Sequence, residues 1–189
     1  MRTPSQQPRH AYTLIELLIV IIMMGIGGAL VIPTIDGAEV LRSQAAVRTL
    51  VSDIMYAQSD AIASQEPRAI VFDKDTNSYT LVAVPGALID VDNNTLYDPF
   101  SRGNDYVVTF QGGQFGSANI WEVEFDTDDD QILIFDEFGA PVRAPGSVEP
   151  TTGGYIYMQD PNYWFHINIE GMTGQVWTEK FHKAVWSPS

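Results

Sequence analysis

From Leu17 to Ile35 the chain carries no charged side chain, and a run of about 20 apolar residues is what a helix needs to cross a ~30 Å hydrocarbon core. Immediately before it, in Ala11-Tyr12-Thr13-Leu14-Ile15-Glu16-Leu17-Leu18-Ile19-Val20, stands a carboxylate. A charge at full membrane depth costs roughly 2.5–3.5 kcal/mol on insertion scales, a cost that an anchor serving only as a greasy plug would avoid. Glu16 therefore asks for a partner of opposite sign.

The preceding residues sharpen this. Arg2, Arg9 and His10 are basic, no acid is present among them, and Pro4 and Pro8 disfavour helix. Basic residues on the short flank hold that end in the cytoplasm and send the rest of the chain outward. An ordinary secretory signal also has a basic segment before an apolar one, but it is cut after the apolar run, near small residues. Glu16 fits that scheme poorly.

These residues resemble the class III signal of type IV pilins and type II secretion pseudopilins: a short basic leader, a small residue, an aromatic residue or Met, then Thr, Leu, Ile, Glu and an apolar helix. The resemblance implies that prepilin peptidase cuts between Ala11 and Tyr12 and N-methylates Tyr12. It also implies that Glu16 pairs with the N-terminal amine of a neighbouring subunit, so that opposite charges are buried together. Ala11 stands where the family usually has Gly, and Tyr12 where it more often has Phe or Met, departures that bear on processing rate. The organisation expected is a leader over 1–11, a transmembrane segment over 12–35 and a periplasmic pilin-like domain over 36–189. The implied location is the inner membrane, crossed once, with the C-terminal domain in the periplasm. The partners implied are other pseudopilins or pilins, prepilin peptidase, the inner-membrane assembly platform and membrane lipid.

With 189 residues in all, about 150 remain beyond the membrane segment, enough for one domain with a real core. The net charge is −14, and removal of the leader takes away Arg2 and Arg9 but no acid. Such a surface repels nucleic acid and anionic headgroups, so no nucleic-acid partner is expected. There is no cysteine, which excludes disulfides and thiolate metal sites.

Pro33 and Gly37 mark the expected membrane exit, where Pro can kink a helix without ending it. Helical spacing then resumes, to about residue 65. Val40, Val47, Leu50, Ile54, Ala57 and Ala61 form an apolar stripe, with Arg42, Arg48, Asp53 and Asp60 placed mostly away from it. After Pro67 the period changes to two. Strands are expected at Arg68–Asp73 and Ser78–Val84 around a turn at Lys74–Asn77, then at Tyr106–Phe110, Ile120–Phe125, Ile132–Phe135, Tyr155–Met158, Tyr163–Ile169 and Gln175–Thr178. Pro85–Asn104 reads as a mobile surface loop. A long helix followed by antiparallel sheets is an α+β layout.

A second resemblance covers this region. The Ala-rich helix ending Ala61-Ile62-Ala63-Ser64-Gln65 before a hairpin looks like the H-type minor pseudopilins and the related FimT and FimU minor pilins. So do Ile134-Phe135-Asp136-Glu137-Phe138-Gly139-Ala140-Pro141 and Ile167-Asn168-Ile169-Glu170-Gly171-Met172-Thr173-Gly174-Gln175-Val176. This resemblance implies a low-copy subunit near a filament tip.

Catalytic signals are lacking. His10 falls in the leader, His166 lies within a strand and His182 in an aromatic tail, and no nucleophile elbow, phosphate loop or zinc helix is present. Asp126, Asp128 and Asp130 have the spacing of positions one, three and five of a calcium loop, with Glu137 at twelve. Position six is Gln131 instead of Gly, however, and Ile132–Phe135 reads as a strand. Calcium is thus a weak candidate ligand, the run Asp90-Val91-Asp92-Asn93-Asn94 a weaker one, and no cofactor is expected. Trp121, Trp164, Phe165 and Trp177 read as core or cross-strand pairs.

The reading is a non-enzymatic minor pseudopilin, a structural subunit of a short periplasmic filament driving type II protein secretion. The alternatives are a minor pilin of a type IV pilus machine and a membrane-anchored periplasmic ligand-binding or adhesive domain. Mass spectrometry of the membrane form should show an N-terminus at Tyr12 carrying a methyl group. An intact Met1 leader, or a start beyond Ile32, would contradict the class III signal.

Overall fold

The computed structural model describes residues 12–99, 104–127 and 131–188, with the side chains of 28–37 left aside. Helix α1 spans Leu14–Ser64, and the chain divides into two compact units after Ala38. The second unit, Glu39–Ser189, is α+β.

Within that unit, Ala46, Val47, Leu50, Ile54, Ala57 and Ala61 are all buried, as three- and four-residue spacing requires of one helix face. The helix closes on Gln65, whose φ of 53° is left-handed. The Glu66 N–H returns to the Ala61 carbonyl at 3.3 Å, a Schellman-type end that Pro67 reinforces.

Two antiparallel sheets follow. The first joins β1 (Arg68–Asp73), β2 (Ser78–Ala83), β3 (Val107–Thr109), β5 (Ile132–Phe135) and β6 (Pro141–Val142) in the order β3-β2-β1-β5-β6. The second joins β4 (Asn119–Phe125), β7 (Gly153–Gln159), β8 (Tyr163–Glu170) and β9 (Val176–His182) in the order β4-β7-β8-β9. β1 and β5 have the limits that period-two alternation predicts, whereas β6, of two residues, carries too little pattern to be seen.

Each sheet turns an apolar face to the α1 stripe. Ile70, Phe72, Leu81, Leu133 and Phe135 from the first meet Val123, Phe125, Ile156, Met158 and Ile167 from the second in one cluster. Phe72 and Phe125 touch across the two sheets with ring centroids 5.9 Å apart. Asn77 joins the sheets by polar contacts: its side-chain amide donates to the Ala118 carbonyl at 2.9 Å and accepts from the Ile120 N–H at 2.8 Å. It sits at φ 52° in the β1–β2 turn, a conformation Asn tolerates better than most residues. Asp73 nucleates that turn by accepting from the N–H groups of Asp75 and Thr76.

The described part of the interval 85–104, residues 85–99 and 104, is less free than its composition predicts. The Leu96 N–H donates to the Leu81 carbonyl at 2.8 Å and the Tyr106 N–H to the Leu96 carbonyl at 2.7 Å, tying the segment to the sheet edge. A short helix, α2 (Val91–Asn94), is capped by Asp90. Two isolated bridges, each of a single residue pair, contribute no periodicity that a sequence could show.

Gln58 shows why particular turns lie where they do. Its side-chain nitrogen donates to the Gly139 carbonyl at 2.8 Å and to the Thr173 carbonyl at 2.9 Å, clipping the β5–β6 and β8–β9 turns to one point of α1. Close approach requires glycine at both turns. A Cβ at Gly139 (φ +80°) would lie 2.7 Å from Ile62 Cδ1, and one at Gly174 (φ +69°) would lie 2.6 Å from Gln58 Nε2.

Asp53 departs from the sequence-based placement. It is only 7% exposed, on the buried face, and accepts hydroxyl protons from Tyr79 at 2.5 Å and Tyr106 at 2.9 Å. Burial pushes its carboxyl above the ordinary carboxylate value, against the two phenols, whose donation favours the ionised form. The phenols themselves are pushed up, first by burial and then by the Asp53 charge. Asp53→Ala, which orphans both hydroxyls, should cost roughly 2–4 kcal/mol in chemical denaturation, and Asp53→Asn less than half of that. The sign with pH follows from the raised folded-state value. Stability from this group is complete below its unfolded value of about 3.9 and declines as pH rises through the folded value, so Asp53→Asn should gain on wild type as pH rises above about 4.

Candidate functional site

The first unit offers one charged group on an apolar helix. Thr13 stands at the helix start, where its hydroxyl accepts from the Glu16 N–H at 3.3 Å and its carbonyl accepts from the same N–H at 3.1 Å. Thr-x-x-Glu is the sequence of a capping box. Glu16 lies in the first turn, where the positive end of the helix dipole stabilises a carboxylate by about 0.3–1 kcal/mol.

Around it, Leu14, Ile15, Leu17, Leu18, Ile19, Val20, Ile21, Ile22, Met23, Met24 and Ile26 are all at least half exposed. At 3.6 residues per turn these positions circle the helix, so no face is covered by the described residues. A helix apolar on every side is stable when something apolar surrounds it. Among the described residues no helix is long and apolar enough to cross a membrane. The side chains of 28–35, the rest of the expected 12–35 span, lie outside the described residues. Tyr12 is exposed, and Ala11, the other side of the expected cleavage point, also lies outside them.

The acidic turn between β4 and β5 is described in part. Asp126 accepts from the Thr152 N–H at 3.2 Å and hydroxyl at 3.1 Å, and its other oxygen lies 3.1 Å from Arg143. These contacts, the Thr152 bonds first, hold its carboxyl below the usual carboxylate range. Asp128 and Asp130 lie outside the described residues. Ile132–Phe135 forms β5 between this turn and Glu137, which is exposed. Asp90, in the second acidic run, accepts from the Asn93 N–H at 3.1 Å and side-chain amide at 2.8 Å as the cap of α2. Among the described residues no group of three His, Cys, Asp or Glu side chains could hold a metal ion.

His166 stacks on Tyr157, with ring centroids 4.4 Å apart and planes 15° from parallel, and its Nδ1 lies 3.2 Å from the Asn168 side-chain amide. Burial lowers its pKa, with Glu179, 3.7 Å away, opposing. The four aromatic residues separate into two pairs by exposure. Trp164 and Phe165 are buried, whereas Trp121 and Trp177 are about half exposed on the second sheet. Trp121 on β4 packs edge-on against Trp164 on β8 with centroids 5.5 Å apart, reaching across the intervening strand β7 and not between paired neighbours.

Sequence reasoning passed over Arg68. It is 5% exposed at the start of β1 and meets Asp60 at 2.5 Å, Glu66 at 2.7 Å and the Ser64 hydroxyl at 2.7 Å. Its environment is structural: it fixes the last turn of α1 to the first strand. The available signal was the spacing Asp60-Ser64-Arg68, one group every fourth residue across the helix end.

No protein-family model matches the chain, and no curated protein matches it. Among solved structures the chain is similar to the minor pseudopilin EpsH from the Type 2 Secretion System of Vibrio cholerae, at 13% identity and a TM-score of 0.48, over 73% of this chain and 96% of that chain.

Proposed function

We propose that the chain is a minor pseudopilin: a non-enzymatic, cofactor-free subunit that enters a short periplasmic filament through its N-terminal helix and takes part in type II secretion. The observation that carries this reading is Glu16, alone among exposed apolar side chains in the first turn of α1. Buried among the helices of other subunits or in lipid, that carboxylate is tolerable when a neighbour supplies a positive charge, and the amine exposed by cleavage before Tyr12 is such a charge. Processing by prepilin peptidase and insertion across the inner membrane belong to the same proposal.

A minor pilin of a type IV pilus machine would use the same pairing at Glu16, and the genes that neighbour this one would separate the two readings. An autonomous anchored domain makes a different demand on Glu16, because it needs no partner there.

Glu16→Ala should leave a folded, membrane-anchored protein, since removing a charge from an apolar stretch makes insertion easier, yet it should abolish entry into filaments and the secretion that depends on them. Fractionation and secretion assays on one strain read both effects. Normal secretion by the Glu16→Ala strain would contradict assembly and favour the anchored domain.

A further inference from the structure

We infer that the free edge of β9 is a docking site for an extended, acidic strand of another protein. This interface uses the second half of α1 and does not depend on the pairing proposed at Glu16.

Sheet edges are places where unpaired backbone groups invite another strand, and proteins commonly blunt them. In this domain the other edges are blunted: β3 has three residues, β6 has two, and β4 is bulged between Ile120 and Glu122. β9 has seven residues in unbroken register with β8, contains no proline and is mostly exposed. Its outward polarity can be read from its two ends. The Gln175 carbonyl and the Lys183 N–H both bond toward the β8 hairpin, to Glu170 and Asn162. Alternation then turns the backbone groups of Thr178 and Lys180 away from β8.

The side chains of those same residues face a groove shared with α1. It consists of two adjoining hollows of about 270 and 210 Å³ that have Val47, Arg48 and Thr178 in common. Met55, 57% exposed, and Val51 supply its apolar floor. Arg48 and Lys180 supply positive charge, unusual in a chain of net charge −14. Lys180 is held with its Nζ 3.8 Å from the Tyr163 ring centroid, over the neighbouring strand β8. A strand laid here would gain main-chain hydrogen bonds from β9 and turn every second side chain into the groove, where apolar ones would meet Val51 and Met55 and carboxylates would meet Arg48 and Lys180.

A second copy of this chain fits less well. Pairing β9 with itself about its centre sets Glu179 against Glu179 and brings both copies' Arg48 and Lys180 to one seam. Pairing it with β4 sets Glu122 and Glu124, which share the face of Glu179, against that residue.

The test is amide hydrogen exchange on the full-length protein with two capped peptides that carry threonine at every second position, the positions between alternating valine with glutamate in one and valine with lysine in the other. The acidic peptide should bind saturably and slow exchange at Thr178 and Lys180, and the basic peptide should not. Thr178→Pro, tolerable on an open edge because it removes an outward N–H, and the charge reversal Arg48→Glu with Lys180→Glu should each weaken acidic-peptide binding roughly tenfold or more. Unchanged melting temperatures would show that both variants fold. No protection by the acidic peptide, equal binding of both peptides, or binding indifferent to both variants would overturn the proposal. Protection that appears without peptide as protein concentration rises would assign the edge to self-association and overturn it equally.

Discussion

Every layer of the unit from Glu39 onward meets on one stripe of α1, from Ala46 to Ala61. Small residues at Ala46, Ala57 and Ala61 let strands approach the helix, while Leu50 and Ile54 fill the space between the two sheets. Polar groups then fix the register of what the apolar face attracts. Asp53 holds the phenols of Tyr79 and Tyr106, and Gln58 holds one turn from each sheet. The apolar stripe supplies free energy without direction, and these two side chains supply direction.

The α+β layout, the helical stripe and most strands were legible because amphipathic periodicity is a local signal. Asp53 was misplaced because charge was read as exposure. Yet it stands three residues after Leu50 and four before Ala57, on the same face, and two phenols satisfy it there. The strand-like pieces after Pro85 were missed because they pair one residue at a time with sequence-distant partners, and such contacts leave no repeat in the chain. Gly139 and Gly174 were noticed as motif residues without a physical role. Their role is distance from Gln58, which only the assembled fold reveals.

At the other end of α1 the logic is reversed. The side chains from Leu14 to Ile26, Glu16 apart, are apolar on all sides and find no cover among the described residues; in the proposed function, lipid and neighbouring subunits cover them. Glu16 is the one feature there that would resist simple immersion in lipid, and it gains only modestly from the helix dipole. Pairing with a positive charge on a neighbour answers the desolvation cost and would also set the axial register between subunits.

Photo-crosslinking from Leu18, one turn from the Thr13 cap, tests that pairing most directly. With a photoreactive residue at this position in cell membranes, the account predicts adducts to the N-terminal helices of other filament subunits, and their loss when Glu16 is changed to Ala. Adducts confined to lipid, or protein adducts unchanged by Glu16→Ala, would contradict it.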